Sequence, residues 1–219
     1  MNTTPATEPL TMAVPKGRLL DQTIEFFESC GLSFSFEKRS LVAHETSGLL
    51  KLILVKNSDL PVYVKHGIAG MGISGEDTLY ESGTEFYQLY TFNFGATHMC
   101  LCCREDYDPS MDQRQLAVAT KFTRFARDYF HGQGIPVEII RLGGSVELAP
   151  VLGLAPYIVD LVETGSTLRA NKLKVTKTLA EIQVRLICNP AYYKLHFDRI
   201  NAFITRLQGI TTLEMPKNE

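Results

Sequence analysis

The sequence lacks long hydrophobic runs and has no excess of basic charge. No apolar stretch in its 219 residues approaches the length of a membrane-spanning helix. Residues 1–9 are polar and rich in Thr and Pro, without the basic start and apolar core of a signal peptide. The formal net charge is −2, so no overall basic field favours nucleic acid. The chain is therefore predicted to be cytoplasmic, with no membrane and no nucleic acid as partner.

Cysteine is scarce, and its spacing suits neither a disulfide framework nor a metal site. The five cysteines are an odd number in a chain that is not small. Cys100, Cys102 and Cys103 lie in an apolar run without a second C-x-x-C pair, which favours buried free thiols in a strand. The histidines are scattered and form no H-x-x-x-H pair. The sequence therefore predicts no metal site built from protein ligands.

None of three common catalytic motifs occurs in the structural context that it requires. There is no G-x-x-x-x-G-K-[ST], and no G-x-G-x-x-G follows a predicted strand, which argues against a P-loop hydrolase and a Rossmann dinucleotide site. No G-x-S-x-G nucleophile elbow occurs. Ser145, which follows two glycines, is therefore interpreted as a helix cap and anion contact rather than as a nucleophile.

The sequence does contain an alternation of short strands and short helices. Its hydrophobic content of 45% and charged content of 21% are ordinary for a globular protein that buries a core. The alternation predicts an α/β fold with largely parallel sheets. Among the predicted elements are separate strands at 87–92, 98–103, 174–179 and 183–188. We also expect a single helix at 192–207.

The stretch from Asp160 to Asn171 is the most informative part of the chain. An apolar run with the β-propensity of a strand leads into Asp160 and Glu163, and the hydroxyl-rich turn Thr164–Thr167 then opens a predicted helix. Backbone N–H groups and hydroxyls at a helix start can hold a phosphate, and the carboxylates can accept hydrogen bonds from a ribose diol. Taken alone, an ordinary strand and helix cap explain this stretch equally well.

Three other turns share the same arrangement, each following a predicted strand and preceding a helix. They are Lys16-Gly17-Arg18, Ser74-Gly75-Glu76-Asp77, and Gly143-Gly144-Ser145 with Glu147. Ligands of α/β folds bind at such carboxyl ends of strands. The basic turn at Lys16–Arg18 suits an anionic ligand, although by itself it also fits an exposed charged loop.

Five sequence blocks occur in an order that resembles the ATP phosphoribosyltransferase family, from about Leu10 to Leu207. They are Pro15–Leu19, Asp59–Gly67 with Gly72–Asp77, Ala119–Lys121, Gly144–Pro150 and Asp160–Leu168. The resemblance implies a two-lobed, periplasmic-binding-protein-like (type II) α/β fold with a cleft between the lobes. Lobe I would comprise residues 1–95 and 184–219, and lobe II residues 96–183.

The resemblance also implies a reaction, in which N1 of the adenine of ATP is joined to C1 of phosphoribosyl pyrophosphate and pyrophosphate is released. Mg²⁺ would accompany the pyrophosphate. The implied roles are catalysis by Arg18, Arg39 and Lys16; binding of phosphoribosyl pyrophosphate by Asp160, Glu163, Thr164, Gly165, Ser166, Thr167 and Leu168; and binding of the nucleotide by Gly144, Ser145 and Glu147.

The length is similar to the short catalytic form of that family, which is associated with a regulatory subunit resembling histidyl-tRNA synthetase. We therefore expect a hetero-oligomer around a homodimer core. Lys56 stands where many relatives have Arg, which removes a forked donor from that position. Two rival interpretations are a solute-binding protein of the same fold and a phosphoribosyltransferase that acts on a free base.

Overall fold

The structure of the protein is a computed structural model that describes residues 8–37, 39–108, 110 and 116–211. The strands in these residues are β1 (Leu10–Pro15), β2 (Phe34–Phe36), β3 (Val42–Glu45), β4 (Leu50–Val55), β5 (Met71–Gly75), β6 (Tyr87–Arg104), β7 (Leu116–Thr120), β8 (Val137–Arg141), β9 (Tyr157–Val162) and β10 (Leu173–Cys188). The helices are α1 (Arg18–Ser29), α2 (Leu60–Lys65), α3 (Glu76–Ser82), α4 (Thr123–Gly132), α5 (Leu148–Val151), α6 (Ser166–Ala170), α7 (Pro190–Leu195) and α8 (Phe197–Thr211).

The described chain divides into two compact units. Unit 1 runs to Leu79 and includes Thr84–Gly95 and the chain from Val184, whereas unit 2 comprises Tyr80–Gly83 and Ala96–Gln183. None of the helices in the described residues is both long enough and apolar enough to cross a membrane.

Unit 1 is built around β1, which is hydrogen-bonded in parallel to β4 on one side and to β5 on the other. Further strands are antiparallel, with β3 beside β4, β2 beside β3, and β10 beside β5. Successive residues of β1 lie on opposite faces of the sheet and pack in two different cores. Met12 packs with Phe27 of α1, and Ala13 packs with Leu60 of α2. Both faces of β1 are therefore covered, as expected for a parallel strand in an α/β protein.

Unit 2 repeats the parallel arrangement with β7 at its centre. β8 and β9 pair in parallel with β7, and β6 pairs with β9 in antiparallel fashion. One core contains Ile158 of β9 and Leu168 of α6, and the other contains Val118 of β7 and Phe130 of α4. The described free thiols, including the three between residues 100 and 103, are buried, which confirms the prediction for that cysteine run.

Three predicted element boundaries are wrong. The two strands expected at 87–92 and 98–103 form the single strand β6, in which Gly95 has φ 70°. A Cβ at Gly95 would lie 2.9 Å from Cγ2 of Val184, so the positive φ and this close approach both favour glycine at a position where the strand continues. The pair expected at 174–179 and 183–188 is likewise the single strand β10. The helix expected at 192–207 is divided at His196 into α7 and α8.

Helix α4 is capped by a side chain distant in sequence. Its N-cap residue Phe122 has no capping group, and the carboxylate of Glu81 accepts from the backbone N–H groups of Arg124 and Phe125 and from Oγ1 of Thr123, at 2.9 to 3.2 Å. A carboxylate at a helix N-terminus also interacts favourably with the helix dipole. Glu81 therefore anchors the start of α4 within unit 2.

The substitution Glu81→Ala should lower the free energy of unfolding by about 1–2 kcal/mol, because it leaves the first N–H groups of α4 without this acceptor. Urea denaturation followed by circular dichroism measures the change. Glu81→Gln is the matched control, since it keeps an oxygen acceptor without the charge and should cost less. An Ala variant as stable as the parent would contradict the capping role.

Candidate functional site

Basic side chains gather at the carboxyl edge of the unit 1 sheet. Pro15 is paired with Val55, and the N–H of Lys16 donates to the carbonyl of Val55 at 3.1 Å, so the turns after β1 and β4 are neighbours. Gly17 with φ 94° joins β1 directly to α1. The side chains of Lys16, Arg18 and Lys56 are exposed here.

Arg39 is placed at the same edge by the hairpin of β2 and β3. Because β3 is antiparallel to β4, the turn that precedes β3 lies beside the carboxyl end of β4. A hydrogen bond of 2.8 Å from the N–H of Leu54 to the carbonyl of Leu41 closes this arrangement. The structure thus brings all three predicted basic residues, and Lys56 with them, to one edge of unit 1.

A second set of predicted residues meets at the carboxyl edge of the unit 2 sheet. Thr120, at the end of β7, is fully buried and donates its hydroxyl to the carbonyl of Val159 at 2.6 Å. The next residue, Lys121, places its Nζ 3.9 Å from Oδ1 of Asp160. The Asp160 side chain is 22% exposed, so it is shielded by the sheet yet accessible from the edge. Lys121 belongs to one of the five sequence blocks, but no local pattern predicts a role for it.

The turn after β9 has the predicted hydroxyl-rich form. Gly165 adopts φ 68° and ψ 12° and begins α6, while Oγ1 of Thr164 lies 3.2 Å from Oγ of Ser166. Arg169 donates from Nη1 to the carbonyl of Thr164 at 3.0 Å, and this hydrogen bond links the two ends of the turn. Leu168 differs from its neighbours, since its side chain is 7% exposed and packs in the core. A ligand contact by Leu168 would therefore have to come from its backbone.

The turn after β8 lies beside the turn after β7, and the turn after β9 lies on the other side of β7, because β7 pairs with both β8 and β9. Gly144 and Ser145 are exposed, and Glu147 is half-buried at the start of α5. Ser145 has φ 48°, a conformation that costs free energy for a residue other than glycine.

Backbone strain coincides with two of the predicted site residues. In the described part of the chain, the residues other than glycine with positive φ are Arg39, Ser145 and Lys172. Arg39 and Ser145 both lie in turns at carboxyl edges of the sheets. Strained conformations of this kind cluster at binding sites, where the fold holds a group in a required direction.

The chain matches the family model described as HisG: ATP phosphoribosyltransferase over residues 56–209. The ATP phosphoribosyltransferase of Sorangium cellulosum is 42% identical over 209 residues, which cover 94% of this chain and 97% of that protein. The ATP phosphoribosyltransferase of Streptococcus thermophilus is 40% identical over 204 residues, covering 92% and 94%.

Solved structures agree with these sequence relatives. A chain of the ATP phosphoribosyl transferase (HisG:HisZ) complex from Thermotoga maritima has a TM-score of 0.80 at 30% identity, covering 94% of this chain and 100% of that chain. The periplasmic aliphatic sulphonate binding protein SsuA from Escherichia coli has a TM-score of 0.61 at 11% identity, covering 92% and 72%, which is a likeness of fold alone. Together they confirm the predicted periplasmic-binding-protein-like α/β fold.

Proposed function

The chain belongs to the ATP phosphoribosyltransferase family, and we propose that the residues at its two sheet edges carry out this reaction. It is a pentosyltransferase of the first step of histidine biosynthesis, which joins N1 of the adenine of ATP to C1 of phosphoribosyl pyrophosphate and releases pyrophosphate. The observation that carries this conclusion is the family match over residues 56–209, supported by relatives that cover more than nine-tenths of the chain.

Unit 1 is proposed to receive the leaving pyrophosphate. As the bond between C1 and the pyrophosphate oxygen breaks, negative charge grows on the leaving group and positive charge on the sugar. Cations placed beforehand at the position of the leaving group stabilise this charge separation in the transition state. Arg18 can offer a forked pair of donors, Lys16 adds a point charge beside it, and Arg39 approaches from the neighbouring turn.

Unit 2 is proposed to hold the phosphoribosyl group. The hydroxyls and backbone N–H groups of Thr164 to Thr167 would bind the 5′-phosphate, with Leu168 contributing through its backbone. Asp160 and Glu163 would accept hydrogen bonds from the ribose hydroxyls and favour the developing cation. The arrangement that supports this role is the closed turn at Gly165, which places two hydroxyl groups 3.2 Å apart at the end of β9.

A substitution of Gly165 by Ala tests the turn. Its Cβ would lie 3.2 Å from Nη1 of Arg169, the group that closes the turn, and the positive φ adds strain. The KM for phosphoribosyl pyrophosphate should rise about tenfold, as expected for roughly 1.4 kcal/mol of lost binding. Gly134→Ala is the matched control, because Gly134 has φ 69° and open space around it. An equal rise in KM for both variants would contradict the role of the turn.

The nucleotide is proposed to bind beside the turn after β8. Gly144 and Ser145 present a short exposed backbone segment, and the half-buried carboxylate of Glu147 can accept hydrogen bonds from amino or hydroxyl groups. The positive φ of Ser145 supports this assignment, because strain of this kind is retained where a turn has a binding role.

Mg²⁺ is proposed to accompany the pyrophosphate. Proteins commonly bind this ion through one or two carboxylates together with substrate phosphates and water. In the described residues, no three His, Cys, Asp or Glu side chains form a group that could hold a metal ion by themselves. An ion that arrives bound to the phosphates of its substrate does not need such a group. When bound, it would neutralise charge on the pyrophosphate oxygens.

We also propose a hetero-oligomer with a regulatory subunit that resembles histidyl-tRNA synthetase, around a homodimer core. The support is the relative from Thermotoga maritima, which is a complex of HisG and HisZ chains. A cytoplasmic location suits an enzyme whose two substrates are phosphorylated metabolites.

The direct test is a coupled assay of the purified chain with and without its regulatory subunit. Pyrophosphate and phosphoribosyl-ATP should form in equal amounts, and only when ATP, phosphoribosyl pyrophosphate and Mg²⁺ are all present. Replacing ATP by free adenine, guanine or uracil separates this enzyme from one that acts on a free base. If the complex made no phosphoribosyl-ATP, the proposed function would be wrong.

A further inference from the structure

An ion pair in unit 1 lies outside every role assigned so far. Arg185 of β10 places Nε 2.8 Å and Nη2 2.7 Å from Oε1 of Glu76, the first residue of α3. Its Nη1 donates to Oγ1 of Thr91 in β6. The two charged side chains are 25% and 30% exposed, so the pair is partly shielded from solvent.

The pair stands at the edge of unit 1 that gathers the basic residues. Arg185 is opposite Ser74 near the carboxyl end of β5, and Glu76 follows that strand directly. β5 is the neighbour of β1, whose carboxyl end leads into Lys16 and Arg18. A hydrogen bond of 2.9 Å from Nδ2 of Asn57 to Oγ1 of Thr78 also joins the turn after β4 to α3.

The position of Glu76 presents an electrostatic difficulty. ATP and phosphoribosyl pyrophosphate are polyanions, and a carboxylate at the edge that receives pyrophosphate would repel them. A second carboxylate, that of Asp77, is 6% exposed in the same turn. The attraction of Lys16 and Arg18 for an anion would be offset unless this negative charge is compensated.

We propose that Arg185 is a positioning residue that neutralises Glu76 and directs its carboxylate towards β10, so that the edge of unit 1 accepts an anionic substrate. This inference rests on the proposed function. Arg185 itself does not contact the substrate, and it acts through Glu76. Its contact with Thr91 fixes the guanidinium plane, which makes both donors to Glu76 available from one side chain.

The test compares Arg185→Met, Glu76→Gln and the double variant in the complete enzyme complex. Arg185→Met removes the guanidinium that faces this carboxylate, and the KM for phosphoribosyl pyrophosphate should rise about tenfold at low ionic strength with little change in kcat. High salt should reduce this difference, because it screens the repulsion. In the double variant the KM should return to within about threefold of the parental value, since the negative charge of Glu76 has been removed.

Three outcomes would overturn the proposal. The first is a double variant as impaired as Arg185→Met, and the second is a KM of Arg185→Met that is insensitive to salt, since either means that Arg185 only supports the local structure. The third is a raised KM for Glu76→Gln alone, which means that Glu76 itself binds the substrate. Arg185→Lys, which keeps the charge, should retain most of the affinity for the substrate. Failure of the parent complex to make phosphoribosyl-ATP would instead refute the proposed function.

Discussion

Arg18→Ala should lower kcat by about a hundredfold to a thousandfold, the loss typical when a preorganised charge-stabilising donor is removed from an active site. Arg18 is exposed at the first position of α1, directly after the turn at Gly17, so its side chain supports no core. The loss should therefore appear in turnover rather than in stability. Steady-state kinetics of the complex, with thermal unfolding measured in parallel, separate the two effects.

Two comparison variants sharpen this prediction. Arg18→Lys should recover only part of the rate, because an ammonium group keeps the charge but not the planar fork of donors. Lys194→Ala removes an exposed cation from α7 and should leave kcat unchanged. If Arg18→Ala turned over at the parental rate, the role of Arg18 at the leaving group would be refuted.

Asp160→Asn should reduce kcat/KM by about a hundredfold. The amide has nearly the same shape, so β9 and its pairing with β6 and β7 are retained, whereas the negative charge that favours the developing sugar cation is lost. A fall in kcat larger than the rise in KM would indicate that Asp160 acts mainly in the transition state.

The ion pair with Lys121 offers a control for this prediction. Lys121→Met removes the cation 3.9 Å from Asp160 but leaves the carboxylate in place. If the carboxylate acts on the sugar, Lys121→Met should be much less impaired than Asp160→Asn. Equal losses in the two variants would show that the ion pair, rather than the carboxylate alone, is the functional unit.

Much of the local architecture was predictable from the sequence because it depends on residues close along the chain. The hydroxyl-rich turn at Thr164–Thr167 and the basic turn at Lys16–Arg18 both occur where predicted, each between a strand and a helix. The apolar run that contains Cys100, Cys102 and Cys103 also predicted that these thiols are buried. The functional roles of the turn residues stay predictions, and the variants above test them.

Other features depend on partners far apart in sequence. Glu81 caps a helix that begins some forty residues later, and Arg185 meets Glu76 across 109 residues. The sequence around Glu81 or Arg185 does not predict either interaction, because the neighbours of a charged residue do not reveal whether it has a distant partner. The continuity of β6 was missed for a similar reason, since Gly95 resembles a turn residue until the neighbouring Val184 is seen.

The family, the α/β class and the composition of the turn after Asp160 are all predictable from the amino-acid sequence, because they depend on residue order and local periodicity. The tertiary structure decided which residues share an edge, because strand register brings Lys16, Arg39 and Lys56 together in unit 1 and Lys121 and Asp160 together in unit 2. The Asp160 turn can therefore be assigned a partner, Lys121, that no local pattern specifies. Register is set by hydrogen bonds between strands that are far apart in sequence, so the pattern of neighbouring residues does not predict it.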